Sequence, residues 1–404
     1  MKKFVSVLLA FIFVLSAVTV LAFADNVVSE TKLRFNDKGE FNVLYLCDCQ
    51  DGYPAHDEMF AYIDYMLENY EIDIIVLGGD NTVCGLSDEE KQGLSEDEIY
   101  AAAVKQKEDA IAQLVKPYVD HKVYFTIVFG NHDHQQGVDK KTLFDIYTRV
   151  GGEYFLGFNE DKADSDRVGT HCLPVYAFDS DKVKYALYMF DSGNYIDDGY
   201  DSVNEDQIAW YKEKRDSLKE ENGDYVPSIA FQHIIVGDVY DYLYFESAVD
   251  LGELGRTFYG KHYTFVPKLN NFTGFVNEPP CPGEYNRGQL DAIAEKGDMR
   301  AIFSGHDHTN DFDVEIKGVH VVNTPSVTYN SYSSELNRGG RLITLHDNGD
   351  QENKVVTINS IAMNDGDFAK KVGTSKFAAG FYEFMAKFLL AIGKVFSVFG
   401  YIFK

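Results

Sequence analysis

The chain has 404 residues, 45% of them hydrophobic and 14% aromatic, with 64 acidic against 37 basic residues and a formal charge of −27. That apolar content excludes a disordered chain and supplies a core for one large α/β domain or two smaller ones. The acidity argues against nucleic acid as a partner, because phosphate backbones are bound by clustered Lys and Arg, and five cysteines without framework spacing argue against a disulfide scaffold.

Read from the start, Lys2 and Lys3 precede an apolar run over residues 4–21, and Ala22-Phe23-Ala24 supplies the small-x-small pattern of a secretory cleavage site. Residues 1–24 are therefore read as a signal peptide, and the mature protein as secreted or extracytoplasmic. Phe41-Asn42-Val43-Leu44-Tyr45-Leu46-Cys47 has the composition of a buried strand and runs into Asp48-Cys49-Gln50. On an extended chain Cys47 and Cys49 share one face and Asp48 takes the other, which places both thiols behind any site at Asp48.

Met59, Ile63, Met66, Leu67 and Tyr70 recur at helical spacing after Asp57, and residues 72–77 form a second apolar run, ending in Gly78-Gly79-Asp80-Asn81. A helix over 99–119 leads to a strand over 123–129 that delivers Gly130-Asn131-His132-Asp133. Residues 173–178 and 184–190 read as a hairpin around Asp179-Ser180-Asp181, after which a helix over 203–221 precedes the run Ile229-Ala230-Phe231-Gln232-His233. The stretches 160–170 and 237–282 read as loops that shape access to a site. A helix over 289–295 and a strand lead to Gly305-His306-Asp307-His308, and strands over 319–322, 341–345 and 354–358 follow.

A domain over 31–363 is thus expected, with Asn364-Asp365-Gly366-Asp367 and Gly373-Thr374 as linker to a C-terminal apolar segment. In that segment Lys376, Glu383, Lys387 and Lys394 fall on one stripe at about 100° per residue, which predicts an amphipathic helix over 371–404. Such a helix suits a membrane surface; bilayer spanning with partners and docking onto the domain are its other fates.

Five apolar runs therefore end in residues able to hold metals or move protons. Singly, Asp48 and Asp80 read as turn or capping acids and His233 as an ordinary satisfied histidine. Together with Asn131 and His306 they form a set, in the place where open α/β sheets carry their chemistry.

The order of Asp48, Gly79-Asp80, Gly130-Asn131-His132-Asp133, His233 and Gly305-His306-Asp307-His308 resembles the calcineurin-like metallophosphoesterase superfamily. Gly78-Gly79-Asp80-Asn81 and Phe190-Asp191-Ser192-Gly193 are most similar to the branch near the purple acid phosphatases. Val83 stands where the purple enzymes carry a metal-binding Tyr, so no tyrosinate colour is expected. The resemblance implies an α/β/β/α sandwich, two packed mixed sheets flanked by helices, with the metal site at strand C-terminal ends.

It further implies two metal ions, Fe, Mn or Zn. Asp48, His308 and Gln50 would hold the first; Asp80 would bridge; Asn131, His233 and His306 would complete the second. His132 matches the position that faces the leaving oxygen as an acid, and Asp133 beside it is expected to orient that imidazole. The departure is Gln50, where the commonest pattern has His; an amide oxygen is a harder and weaker ligand than imidazole, and Asp51 is a substitute to consider.

The expected function is an exported phosphoesterase acting on small phosphorylated substrates: monoesters, with diesters or nucleotides as further options. The alternative is a non-catalytic, cell-surface metal- or phosphate-binding module with a degenerate site. Arg287, Arg338 and Arg341 are candidate phosphate contacts, although Arg338-Gly339-Gly340-Arg341 also reads as a turn with solvated arginines.

Overall fold

The computed structural model describes residues 32–160, 167–197 and 199–402. The signal-peptide reading of residues 1–24, and residues 161–166 of the charged loop, lie outside the described residues.

Two mixed sheets pack face to face. The five-stranded sheet runs Gln351–Thr357, Gly339–His346, Glu40–Leu46, Ile74–Gly78, Tyr124–Val128, the last three parallel. In the eight-stranded sheet the strands Val183–Met189, Ser228–Phe231, Met299–Ser304 and Val319–Asn323 lie side by side and parallel. These strands are apolar on both faces because each sheet is covered twice: by the other sheet and by helices.

Val43, Tyr45, Ile74 and Val76 meet Leu187, Phe231 and Phe303 in the inner layer. Helices Asp57–Asn69, Glu96–Asp120 and Lys140–Gly151 cover one outer face, while Glu205–Asn222 and Gln289–Ala294 cover the other. This is the α/β/β/α sandwich the sequence led one to expect.

Two helices begin where their caps dictate. Ser95 and Glu98 form a reciprocal capping box ahead of Glu96–Asp120, and Asn204 with Gln207 does the same for Glu205–Asn222, which ends at left-handed Gly223. The Ser-x-x-Glu signature places the first helix three residues earlier than apolar spacing alone does.

Several expectations need correction. Residues 237–282 are not simply loop: a short helix, Val239–Leu243, precedes a three-stranded sheet in the order Tyr244–Ser247, Lys261–Pro267, Gly255–Phe258. Its tight turn is Tyr259-Gly260, with φ of 49° and 75°, both in the left-handed region that a twisted two-residue hairpin requires. The expected linker instead holds helix Gly366–Lys371, capped by the Asp365 carboxylate, with Phe368, Ala369 and Val372 in the core.

Arg341 is neither solvated nor a phosphate contact. It is buried, and its guanidinium donates to Thr324 Oγ1 (3.1 Å), Asn353 Oδ1 (2.6 Å) and the carbonyls of Asp311 (2.9 Å) and Asn323 (2.8 Å). Arg341→Met keeps the volume but strands those acceptors. It is expected to lower stability by about 3 kcal/mol or more, read from the urea midpoint, because buried polar groups without partners are costly.

Candidate metal centre

Parallel strands deliver their carboxyl ends to one edge of the sandwich, and the loops there turn back sharply. Asp48, Asp80 and His306 all have positive φ, at 50°, 48° and 71°, a region that non-glycine residues adopt at a cost and that clusters at functional sites. Glycines beside them allow the close approach. A Cβ on Gly130 would stand 2.2 Å from Asp80 Oδ1, and one on Gly79 would stand 2.6 Å from His233 Nδ1.

The left-handed turn at Asp48 also corrects the reading of the flanking thiols. Cys47 packs between the sheets, whereas Cys49 packs under the helices of the five-stranded sheet. The chain is not extended through Asp48, so strand alternation fails there.

Asp80, His233 and His306 bring ligand atoms within 4.8 Å of one another, and all three are buried. His233 Nε2 lies 3.2 Å from Asp80 Oδ2 and 3.9 Å from Asp48 Oδ1; His308 Nε2 lies 3.4 Å from Asp48 Oδ1. Both rings are held in one tautomer from behind, His233 Nδ1 donating to the Gly78 carbonyl (2.9 Å) and His308 Nδ1 to that of Tyr332 (2.7 Å). Each therefore turns a lone pair inward, as metal-binding imidazoles do.

The donor set fits divalent cations on an independent observation. Asp48 Oδ1, both side-chain atoms of Asn131 and His233 Nε2 are buried without a hydrogen-bond partner among the described residues. Buried polar groups rarely stay unpaired, so a cation is a fitting partner for these atoms.

Electrostatics agree. Burial pushes His233 down, but the Asp80 carboxylate outweighs it and raises the imidazole to about 10; Asp48 likewise raises His308 to about 9 against burial. Asp80 is pushed up by burial yet held below the ordinary carboxylate range, chiefly by His233. His306 is driven down by burial and by His233, and stays neutral. A proton on His233 Nε2 would therefore compete with a cation for the same nitrogen.

Gln50 sits at the first-metal corner. Its amide nitrogen is 2.7 Å from His308 Nε2 and donates to the lone pair a cation would use. Asp51 does not substitute for it: Oδ1 accepts from Thr328 Oγ1 (2.6 Å) and the amides of Tyr329 (2.8 Å) and Asn330 (2.9 Å), and Oδ2 from the His56 amide (3.0 Å).

Asp133 also departs from expectation. Its carboxylate accepts from the amides of Gly130 (2.8 Å), Asn81 (2.8 Å) and Thr82 (3.2 Å), tying two site loops together, and does not touch the His132 ring. His132 is anchored instead through its backbone amide to Asp80 Oδ1 (2.7 Å), and its Nε2 meets the Tyr195 hydroxyl at 3.1 Å. Ser192 is buried and accepts from the Ile234 amide (2.9 Å). Arg287 pairs with Asp201, and Arg338 lies over the Tyr329 ring.

Sequence reasoning missed an aromatic rim. Tyr195 packs edge-on to His132 (centroids 5.6 Å), Tyr200 edge-on to His306 (4.4 Å), and Tyr332 stacks flat on His308 (4.1 Å, 4°). Tyr195 and Tyr200 lie on a small ribbon, Tyr195–Ile196 against Gly199–Tyr200.

Two carboxylates, an amide and three imidazoles stand at strand ends, with a further histidine beside them, and Asp80, His233 and His306 among them are close enough to hold one cation. The calcineurin-like phosphoesterase model matches residues 20–310, and the chain belongs to that family. Among curated relatives it is 24% identical over 336 residues to "Probable inactive purple acid phosphatase 14" of Arabidopsis thaliana, covering 74% of each chain. It is 22% identical to "Probable inactive purple acid phosphatase 29" of the same plant, over 82% of this chain and 83% of that one. "Phosphatase DCR2" of Saccharomyces cerevisiae is 23% identical over 70% of this chain and 46% of the relative. Among solved structures, a dimetal phosphatase from Danio rerio aligns with 78% of this chain and 98% of its own, at 10% identity and a TM-score of 0.44.

Proposed function

We propose that this chain is an exported, metal-dependent hydrolase of phosphoesters. The observation that carries the reading is the pairing of a cage of unpartnered buried ligand atoms with His132, a histidine at the mouth that none of them requires. Asp80 would bridge two cations; Asn131, His233 and His306 would complete one, and Asp48, His308 and Gln50 the other. Cations there supply neutralisation of phosphoryl charge and a water acidified enough to attack near neutral pH.

The protein's own residues would do the rest. His132 presents Nε2 where a leaving oxygen would enter and hands it a proton; the backbone bond to Asp80 fixes its distance from the centre. Tyr195, Tyr200 and Tyr332 offer ring faces and hydroxyls to the organic part of an ester, which favours substrates with a planar group.

His132→Gln tests the assignment. It is expected to lower kcat for an alkyl phosphate by about 10²–10⁴-fold and much less for a nitrophenyl ester, whose leaving group needs no proton, at unchanged metal content. Equal losses on both esters would remove His132 from the acid role.

Gln50 favours a second reading, a metal- or phosphate-binding module without turnover. It predicts bound metal and bound phosphate with no hydrolysis of any ester.

A further inference from the structure

Over residues 376–393, helix Lys376–Ile402 packs on the domain through its alanine face. Ala379 and Ala386 are buried, and Glu383 accepts from Thr357 Oγ1, which locks the helix to the end of strand Gln351–Thr357. On the opposite face Phe377, Phe381, Phe384 and Phe388 are 87%, 53%, 61% and 45% exposed. At about 100° per residue these four rings fall within an arc of roughly 60°, diametrically across from the two alanines. Monomeric soluble proteins seldom show so continuous an apolar strip.

Charge says what covers it. Residues 366–404 carry Lys370, Lys371, Lys376, Lys387, Lys394 and Lys404 against Asp367 and Glu383, an excess of positive charge in a chain whose total is −27. Lys376 and Lys387 are exposed and sit about a quarter-turn from the phenylalanines. From there their ammonium groups can reach headgroups while the rings enter the acyl boundary. A second copy laid on the same strip would bring lysines against lysines; an anionic bilayer brings the opposite sign.

We propose that this face docks the protein, flat and peripherally, on a lipid surface rich in anionic headgroups. The proposal stands independently of the metal chemistry. Deleting the helix is a poor test, because Ala379 belongs to the core. The exposed rings can be changed without opening it.

The experiment is co-sedimentation of the full chain with vesicles of phosphatidylcholine alone or with 30% phosphatidylglycerol by design, alongside the quadruple variant Phe377→Ser, Phe381→Ser, Phe384→Ser, Phe388→Ser. The wild type is expected to bind the anionic vesicles, weaken as salt rises, and bind pure phosphatidylcholine less. The variant is expected to lose binding by about tenfold or more with an unchanged melting temperature, a second variant, Lys387→Gln, losing about fivefold per charge removed. Undiminished binding by the folded quadruple variant, or no binding by the wild type, would overturn the proposal. So would a wild-type dimer on gel filtration that the same four changes dissolve, which would assign the strip to a second copy.

Discussion

Asp80→Asn is expected to abolish the centre. Asp80 is buried, it faces His233 through Oδ2 at 3.2 Å, and its Oδ1 holds the His132 amide at 2.7 Å. An amide retains the shape but loses the charge that would offset two cations, and it offers one oxygen where a bridge would need two. Bound divalent metal, counted after equilibrium dialysis, should fall from the wild-type value to below one ion per chain. Metal-stimulated hydrolysis should fall by about three orders of magnitude or more, since both the cations and the placement of His132 depend on this side chain. Wild-type metal content in the variant would show that the bridge is elsewhere.

Gln50→His should act in the opposite direction. In the present chain the Gln50 amide donates to His308 Nε2, so a cation held by His308 and Asp48 would compete with that bond and gain at best an amide oxygen from Gln50. The second site has Asp80, His233 and His306 already gathered, with Asn131 beside them unpaired. The two sites should therefore fill unequally, one tightly and one weakly. A histidine at position 50 turns a competitor into a soft donor, and the weak site should tighten by about 10- to 100-fold, the scale on which even outer partners tune metal affinity. Titration calorimetry with Mn²⁺ or Zn²⁺ separates the two steps. A single unchanged step in both proteins would mean that position 50 does not touch the first metal.

The sandwich was legible because its strands are covered on both faces and so read as uninterrupted apolar runs, each ending abruptly in Asp, Asn or His. The residues gathered at the strand ends were legible for the same reason. What failed were inferences from neighbourhood along the chain. Asp133 follows His132, yet its carboxylate serves the amides of two loops rather than the ring beside it. Cys47 and Cys49 were placed on one face by alternation, which the positive φ of Asp48 cancels.

The rim tyrosines come from segments that carry no metal-binding pattern, so nothing in sequence ties Tyr332 to His308. Arg341 looked like an exposed turn residue because its acceptors, Thr324, Asn353, Asp311 and Asn323, lie 12 to 30 positions away and two are backbone carbonyls. At the C-terminus, Asp365 caps a helix that composition presents as a linker.

Cations held between Asp48, Asp80, Asn131, His233, His306 and His308 would, on the proposed function, support phosphoester hydrolysis. Metal-stripped wild-type protein should be reloaded with Mn²⁺ and assayed on nitrophenyl phosphate mono- and diesters, with bound metal counted in the same samples. The account predicts hydrolysis that rises with bound metal and is absent from Asp80→Asn. Full metal occupancy with no hydrolysis above that variant would contradict it.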